Sequence, residues 1–362
     1  MPDSPLSRPN LYPSLCQALT GAPWSSAGWT AADWEAFTAL AIAEGVAPLL
    51  YSAWKPHGYP PGLPAGQQAR FQQAYLQSAG RNLLYLGELE KIRQAFAAQH
   101  IDCLPLKGAA LAGTLYPDPA TRPMSDLDLL VHPAQLRPAL GVLRRLGYSL
   151  ENFTYHAILW GAAPVELHWS LPYAEQPRAQ PPEPWFWEQS AGRPRAGAPY
   201  AAWLLHAIAH LQVQNRGQGR LLNYFDLLRL AQSLGGYYDW PGLHAQAEAF
   251  GWGAAYTAAL HATARRFPYH FPAAALPSKA APPAVAGAQT ALPAPPSDFS
   301  PRDRYTAAAW QHLDAPTRLQ AGFSLLFPGR GYMLWRFRPR PAWLWPLWYP
   351  VRWGSLVKGL KA

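Results

Sequence analysis

The sequence is poor in cysteine and in charged residues. Its 362 residues include only two cysteines, Cys16 and Cys103, with no CxxC pair. This excludes a disulfide framework and a cysteine-rich zinc site, and it favours a reducing cytoplasm. Charged residues make up 14% and hydrophobic residues 49%, whereas charged residues are about 25% of an average globular protein. A large buried core is therefore available, wholesale disorder is excluded, and the length predicts about two domains.

Long apolar segments are also lacking. The first residues show no basic region followed by an apolar one, so we expect no secretory signal. The longest uninterrupted apolar run in the tail, residues 341–351, is about half of what a membrane-spanning helix requires. We therefore predict a cytoplasmic protein, and any membrane contact would be peripheral.

The basic charge is concentrated in the tail. The formal net charge is +9. The segment after Gly329 contains seven basic residues and no acidic residue, so the first 329 residues carry a net charge of only +2. A long nucleic acid is not expected as a partner, because extended phosphate contacts require a basic groove. The tail's tryptophans and arginines suit a membrane interface. Its prolines at 339, 341, 346 and 350 argue against a regular amphipathic helix and favour packing onto the helical domain.

Periodicity divides the chain into five regions. Thr30 is a candidate N-cap for a helix that Gly45 ends, and a longer helical pattern runs from about 67 to 100. The predicted regions are an N-terminal helical region (1–100), a catalytic core (101–172), a C-terminal helical domain (173–271), an Ala/Pro-rich linker (272–298) and a basic Trp-rich tail (299–362).

The central region has the pattern of a small mixed sheet with helices on it, so we predict an α+β fold. Strands are predicted at 101–106, 125–131, 148–159 and 164–169, and helices at 109–116 and 133–146. Further helices are predicted at 199–214, 220–234 and 241–266.

The strongest chemical signal is an acidic pair on a strand. Asp126 and Asp128 are two residues apart, so their side chains lie on one face of the strand, where a divalent cation usually offsets their repulsion. An isolated pair of this kind is more often simply solvent-facing. Glu166, on the strand 164–169, adds the third acid that two-metal phosphoryl and nucleotidyl transfer requires. His168 shares the face of Glu166 and either orients it or caps the sheet edge.

Candidate phosphate contacts precede these acids. Lys107 and Gly108 lie at a strand end before a helix, where glycine lets the backbone approach a phosphate and the helix amides favour an anion. Arg122 offers a fork of donors to a phosphate or to the acidic loop. With Ser125, at the start of the acidic strand, these residues form the predicted nucleotide-binding set.

A second group of polar residues lies in the C-terminal helical domain. His206 and His210 share a helix face at a spacing that can bind zinc, but no Glu follows His206 as HExxH requires, and buried structural histidines are the favoured interpretation. Asp226 is predicted to be a structural partner of Arg220 or of a histidine. If this domain closes over a nucleotide, these four residues and His168 would line the acceptor side.

Several of these stretches together resemble a known family. They are Leu104-Pro-Leu-Lys-Gly-Ala-Ala-Leu-Ala, Leu115-Tyr-Pro-Asp-Pro, Arg122-Pro-Met-Ser-Asp-Leu-Asp-Leu-Leu-Val, Leu146-Gly-Tyr, Glu166-Leu-His-Trp, His206, His210 and Arg220-Leu-Leu-Asn-Tyr-Phe-Asp. In these the chain resembles the uncharacterised bacterial nucleotidyltransferase family of the polymerase-β-like superfamily, over about residues 30 to 265. The Lys-Gly and Arg-Pro-Met-Ser-Asp-Leu-Asp blocks are the specific parts.

The resemblance implies a polymerase-β-like core that moves a nucleoside monophosphate from an NTP, most simply ATP, to an acceptor hydroxyl. Asp126 and Asp128 match the acids that bind two Mg²⁺ ions, Glu166 matches the third acid, and Gly108 matches the nucleotide-binding turn. This chain has Gly108-Ala109 where the superfamily usually has Gly-Ser or Gly-Gly, so a hydroxyl contact to the phosphates is missing. Two alternatives remain: a DxD metal-dependent glycosyltransferase, and a catalytically inactive fold that binds at a membrane surface.

Overall fold

The computed structural model describes residues 11–171, 180–190, 198–269, 271–276, 309–337 and 339–360. The chain divides into two compact units that interleave along the sequence. The helical unit consists of residues 1–83, 111–124 and 192–286. The sheet unit consists of residues 84–110, 125–191 and 287–362.

Helices account for most of the secondary structure. They are α1 (Leu11–Thr20), α2 (Ala31–Ala43), α3 (Ala47–Trp54), α4 (Ala65–Ala97), α5 (Lys107–Leu111), α6 (Leu136–Arg145), α7 (Glu183–Ser190), α8 (Ala198–Ala209), α9 (Leu221–Leu234), α10 (Trp240–Ala249), α11 (Gly253–Arg266), α12 (Ala315–Leu326), α13 (Arg330–Phe337) and α14 (Tyr349–Leu360). The strands are β1 (Leu104–Leu106), β2 (Leu127–Leu130), β3 (Ser149–Phe153), β4 (His156–Trp160) and β5 (Pro164–His168).

The helical unit contains α2, the helix that the sequence predicted from its capping residues. The Thr30 hydroxyl accepts from the Asp33 amide and the Asp33 carboxylate accepts from the Thr30 amide, which is a capping box. Gly45, at φ +75°, follows the end of α2, so both predicted ends are confirmed. Among the described residues, no single helix is long and apolar enough to cross a membrane. The pair α2 and α3 reaches that length and composition only together, with a bend of 115° between them.

The sheet unit is built on one five-stranded mixed sheet of order β1-β2-β5-β4-β3. Strands β2 and β5 are parallel, and the other neighbouring pairs are antiparallel. One face packs its alternate apolar side chains, such as Leu127 and Val165, against residues of α4 and α6, such as Ile92 and Leu140. The sheet with flanking helices confirms the predicted fold class. The positions that alternate with Leu127 and Val165 along β2 and β5 lie on the opposite face of the sheet.

Two predicted elements are divided in the structure. The single strand predicted over 148–159 is the hairpin β3–β4, whose two strands pair antiparallel between Ser149 and Trp160. The single helix predicted over 241–266 is divided between α10 and α11, because Gly251 adopts φ +76° and its amide donates to the Glu248 carbonyl as a helix cap. Periodicity alone did not show either break, since apolar positions continue through both.

The tail packs on the sheet unit, whereas the sequence favoured the helical domain. Ala321 of α12 is part of the core cluster under the sheet, and Ile158 of β4 packs with Tyr332 and Met333 of α13. The Glu151 carboxylate of β3 accepts from the Tyr332 amide at the start of α13, where helix polarity favours an acid. Of the predicted linker, residues 277–298 lie outside the described residues.

Candidate active site

The acids of the candidate site lie on the polar face of the sheet. Asp128 of β2 and Glu166 of β5 are direct neighbours in the parallel register, as are Leu127 and Val165 one position earlier. Because side chains alternate along a strand, the leucine and valine enter the core while the two acids share the opposite face. The register of β2 on β5 therefore brings together carboxylates that are far apart in the sequence.

A lysine and a histidine contact both acids. The Lys107 ammonium lies 2.7 Å from Asp128 Oδ1 and 3.8 Å from Glu166 Oε2, and His168 Nε2 lies 3.1 Å and 3.6 Å from the same two oxygens. The Asp128 side chain is 1% exposed, whereas those of Lys107 and Glu166 are 20% and 18% exposed. The cluster is thus buried at Asp128 and open to solvent on the side of Lys107 and Glu166.

Lys107 reaches the acids from a left-handed backbone conformation. Leu106, the last residue of β1, is paired with Asp128, so the next residue stands at the end of β2's acidic face. Lys107 makes the turn into α5 with φ +48°, a conformation that costs a non-glycine residue about 1–3 kcal/mol and occurs often at functional sites. Gly108, buried in α5, follows it directly. The positive φ of this strand-to-helix turn therefore falls on the lysine that contacts the acids.

Asp126 completes the set of acids just before β2. Burial, followed by the negative charges of Asp128 and Glu166, raises the pKa of Asp126 to about 7, although Lys107 and a hydrogen bond from Ser125 act in the opposite direction. Such repulsion indicates three carboxylates that share one electrostatic environment. Ser125 is exposed at the entrance to β2. Asp128 and Glu166 lie together as the sequence predicted, and the place of Asp126 in the same set of acids stays a prediction.

The histidines keep Glu166 charged. Burial favours the neutral acid, but electrostatic interactions with the His156 ring and the Lys107 ammonium and a hydrogen bond from His168 hold the pKa of Glu166 well below its usual range. Burial also opposes a charged His168 ring, and its hydrogen bonds to Asp128 and Glu166 outweigh this and raise the pKa of His168. A general base works best when its pKa lies near the operating pH. Because the pKa of Glu166 is well below that range, its carboxylate is better suited to bind a cation than to accept a proton.

Sequence reasoning missed His156 of β4. It is the register partner of His168, their rings lie 5.0 Å apart, and its Nε2 is 3.9 Å from Glu166 Oε2. Burial lowers the pKa of His156 to about 4, and neither ring nitrogen has a hydrogen-bond partner among the described residues. Because β3 and β4 were predicted as one strand, the sheet face on which His156 lies could not be assigned. The alternation His156-Ala-Ile within a separate strand was the available signal.

Arg122 and Asp226 belong to the helical unit, where they form a buried ion pair. The two ends of the Arg122 guanidinium lie 2.7 Å and 3.3 Å from the two Asp226 oxygens, and the Tyr116 hydroxyl donates to Oδ1 over 2.6 Å. The sequence predicted Arg220 or a histidine as the partner of Asp226, and this is corrected to Arg122 and Tyr116. The phosphate contact of Arg122 stays a prediction.

The other polar residues of the helical unit lie around α8 and α9. The His206 and His210 rings are 6.4 Å apart, and His206, on α8, is buried. Arg220 is exposed at the N-cap of α9, where its amide donates to the Asn223 side chain. Their acceptor-side role stays a prediction.

The sheet, its strand order and its acidic face together have the form of a nucleotidyltransferase core. Asp128, Glu166 and His168 each offer a ligand atom within 4.8 Å of the others, a spacing compatible with a metal ion. Residues 30–268 match the family of uncharacterised nucleotidyltransferases, and the chain belongs to that family. No curated protein and no solved structure matches the chain. Membership in the family supports nucleotidyl transfer as the general activity.

Proposed function

We propose that this protein transfers a nucleoside monophosphate from an NTP, most simply ATP, to the hydroxyl group of an acceptor and releases pyrophosphate. The observation that carries the proposal is the pairing of Asp128 with Glu166 beside Lys107 on one face of the sheet, with Asp126 directly before β2. The proposal places the protein in the cytoplasm, which the low cysteine content favours. The near-neutral body favours an acceptor other than a long nucleic acid.

The donor set fits divalent cations. Carboxylate oxygens are the preferred ligands of Mg²⁺, and a cation would offset both the burial and the neighbouring negative charges that raise the pKa of Asp126. Asp126, Asp128 and Glu166 would hold two Mg²⁺ ions, with the His168 ring nitrogen close enough to bind or to orient the acids. When bound, such ions neutralise phosphate charge and lower the pKa of an attacking hydroxyl.

The chain's own residues would position the NTP and stabilise its charge. In the absence of substrate, the Lys107 ammonium neutralises Asp128. A bound triphosphate would compete for this ammonium, which would then offset the negative charge that develops on the phosphates during transfer. Gly108 would let the backbone approach the phosphates, with Ser125 as a further predicted contact. His168 holds Asp128 and Glu166 in place, as a positioning residue.

Binding of ATP by the full chain, measured calorimetrically with Mg²⁺ and with EDTA, tests this assignment. Asp128→Asn and Asp126→Asn remove one charge each and keep the side-chain shape, so we expect Mg²⁺-dependent ATP binding and pyrophosphate release to fall about hundredfold or more. Asp102→Asn is the matched control, because Asp102 is an exposed acid of the same unit. Unchanged Mg²⁺-ATP binding in both site variants would refute the assignment. Binding of a UDP-sugar in place of ATP would favour a glycosyltransferase.

A further inference from the structure

Helix α12 carries its large apolar side chains on the outside. Leu319 is 77% exposed and Phe323 63% exposed, and Leu326 and Phe327 continue the same row. The row that faces inward consists of small residues, namely Thr317, Ala321 and Ser324. A helix that served only to cover the sheet would place its large apolar residues inward. This distribution therefore indicates a second contact on the outer side.

The exposed row of α12 continues onto the end of the chain. The Phe327 ring lies 5.1 Å from Phe323, 5.7 Å from Tyr349 and 5.6 Å from Trp353. Further exposed apolar side chains follow in the 3₁₀ helix Ala342–Trp348 and in α14. We define the tail surface as the exposed residues Leu319, Phe323, Leu326, Phe327, Trp343, Leu347, Val351 and Trp353. A group of large apolar side chains exposed side by side usually marks a contact with a protein or a membrane.

Hydrogen bonds hold the tail surface in shape. The Trp353 indole donates to the Leu326 carbonyl over 2.8 Å, and the Tyr349 hydroxyl donates to the Pro328 carbonyl over 2.8 Å. The Arg352 guanidinium donates to the Leu325 carbonyl, so side chains of α14 satisfy the last carbonyls of α12. The start of α14 is thus attached to the end of α12, where the exposed rings of Phe323, Phe327 and Trp353 lie in a row.

The charge around the tail surface selects among partners. Residues 315–362 contain eight basic residues and no acidic one, and Arg330, Arg336 and Arg340 are exposed. A second copy of the chain would bring these like charges together, which is unfavourable. Exposed leucines and valine gain little from a nucleic-acid backbone. An anionic bilayer offers an apolar phase to the exposed apolar side chains and negatively charged headgroups to the arginines. Tryptophan is also enriched at the interface of membranes with water.

We propose that the tail surface binds the interface of an anionic lipid bilayer. The aromatic and aliphatic side chains enter the headgroup region while the arginines contact the lipid phosphates, so the protein lies on the membrane without crossing it. This inference is independent of the proposed nucleotidyl transfer, because none of its residues belongs to the acidic cluster. Its test therefore succeeds or fails without reference to enzymatic activity.

Vesicle flotation of the full chain tests the proposal. We expect binding to phosphatidylcholine vesicles that contain about 30 mol% phosphatidylglycerol, and about tenfold weaker binding to pure phosphatidylcholine or in about 0.5 M NaCl. The variant Leu319→Ser, Phe323→Ser, Trp343→Ser should bind the anionic vesicles about tenfold more weakly. Leu76→Ser, Leu83→Ser is the matched control, since both leucines are exposed on α4, and its binding should equal that of the wild type.

A variant of the arginines separates the contribution of charge from that of the apolar side chains, and circular dichroism separates weaker binding from loss of the fold. Arg336→Gln, Arg340→Gln leaves every apolar residue in place and should weaken binding to anionic vesicles only. Circular dichroism of each variant verifies folding. Absence of flotation, or equal flotation of the wild type and the three-serine variant, would overturn the proposal. A wild-type dimer in sedimentation velocity that the three serines dissociate, without vesicle binding, would assign the surface to a second copy instead.

Discussion

Removal of the Lys107 ammonium gives the sharpest physical test of the acidic cluster. In Lys107→Met, the carboxylates of Asp128 and Glu166 lose the cation that lies 2.7 Å and 3.8 Å from their oxygens. Burial and the negative charges of Asp128 and Glu166 already raise the pKa of Asp126 to about 7, and the repulsion among these acids is then less compensated. We therefore expect a less stable protein in the absence of divalent metal.

The distances set the size of this effect. With an effective dielectric constant of about 20, the attraction of Lys107 to Asp128 is about 6 kcal/mol and that to Glu166 about 4 kcal/mol. Desolvation of the ammonium offsets part of this attraction, although 20% of the Lys107 side chain stays exposed. Loss of one partner from a buried ion pair costs about 3–5 kcal/mol. Since this pair is only partly buried, we expect the free energy of unfolding to fall by about 3 kcal/mol.

Urea denaturation at low ionic strength, in EDTA and in Mg²⁺ or Mn²⁺, measures this effect. Metal that binds the folded acids should restore most of the lost stability, because it replaces the missing positive charge. Lys107→Arg is the control, since it keeps the charge and, like Met, carries a side chain at the same positive φ. A loss in EDTA below about 0.5 kcal/mol, the range of ordinary surface substitutions, would refute the reasoning. So would a loss that saturating metal leaves unchanged.

Two further predictions concern the helical unit. Asp226→Leu leaves the buried Arg122 charge uncompensated and should lower the free energy of unfolding by about 3–5 kcal/mol, whereas adding Arg122→Met should recover most of it. If the losses of Arg122→Met and Asp226→Leu simply add in a urea double-mutant cycle, the pairing is contradicted. Burial raises the pKa of Cys16 to about 11. Its alkylation in the folded protein, followed by peptide mass spectrometry, should therefore reach its half-maximum near pH 11, and a half-maximum near pH 9 would contradict this. Because the folded pKa exceeds the unfolded one, this thiol's contribution to stability is fully present below about pH 9 and is lost as the pH rises through 11, a loss that Cys16→Ser should reduce.

Features that depend on neighbouring residues were accessible from the sequence. The capping box at Thr30 and the helix end at Gly45 depend on residues within a few positions of each other. The shared face of Asp126 and Asp128 was predicted from the two-residue period of a strand, which in the structure begins at Leu127. The polar pattern around Glu166 predicted its strand for the same reason.

Features that depend on chain reversals were not accessible. The β3–β4 hairpin turns at Thr154 and Tyr155 without a glycine or proline, so His156 was not recognised as a neighbour of Glu166. The partner of Asp226 is Arg122, 104 positions away, and several other cations were equally plausible from composition. The tail's position on β3 and β4 depends on Glu151 and Ile158, which show no periodicity that points to it.

The sequence by itself determined the local elements that hold the candidate acids of this protein, because capping and side-chain alternation act over a few residues. Only the tertiary structure decided that β2 lies parallel to β5 with Asp128 beside Glu166, and that Lys107, rather than a more distant cation, compensates them. The physical reason is that strand register and ion-pair choice are settled by the packing of the whole apolar face. One residue of slippage between β2 and β5 would turn the acids into the core.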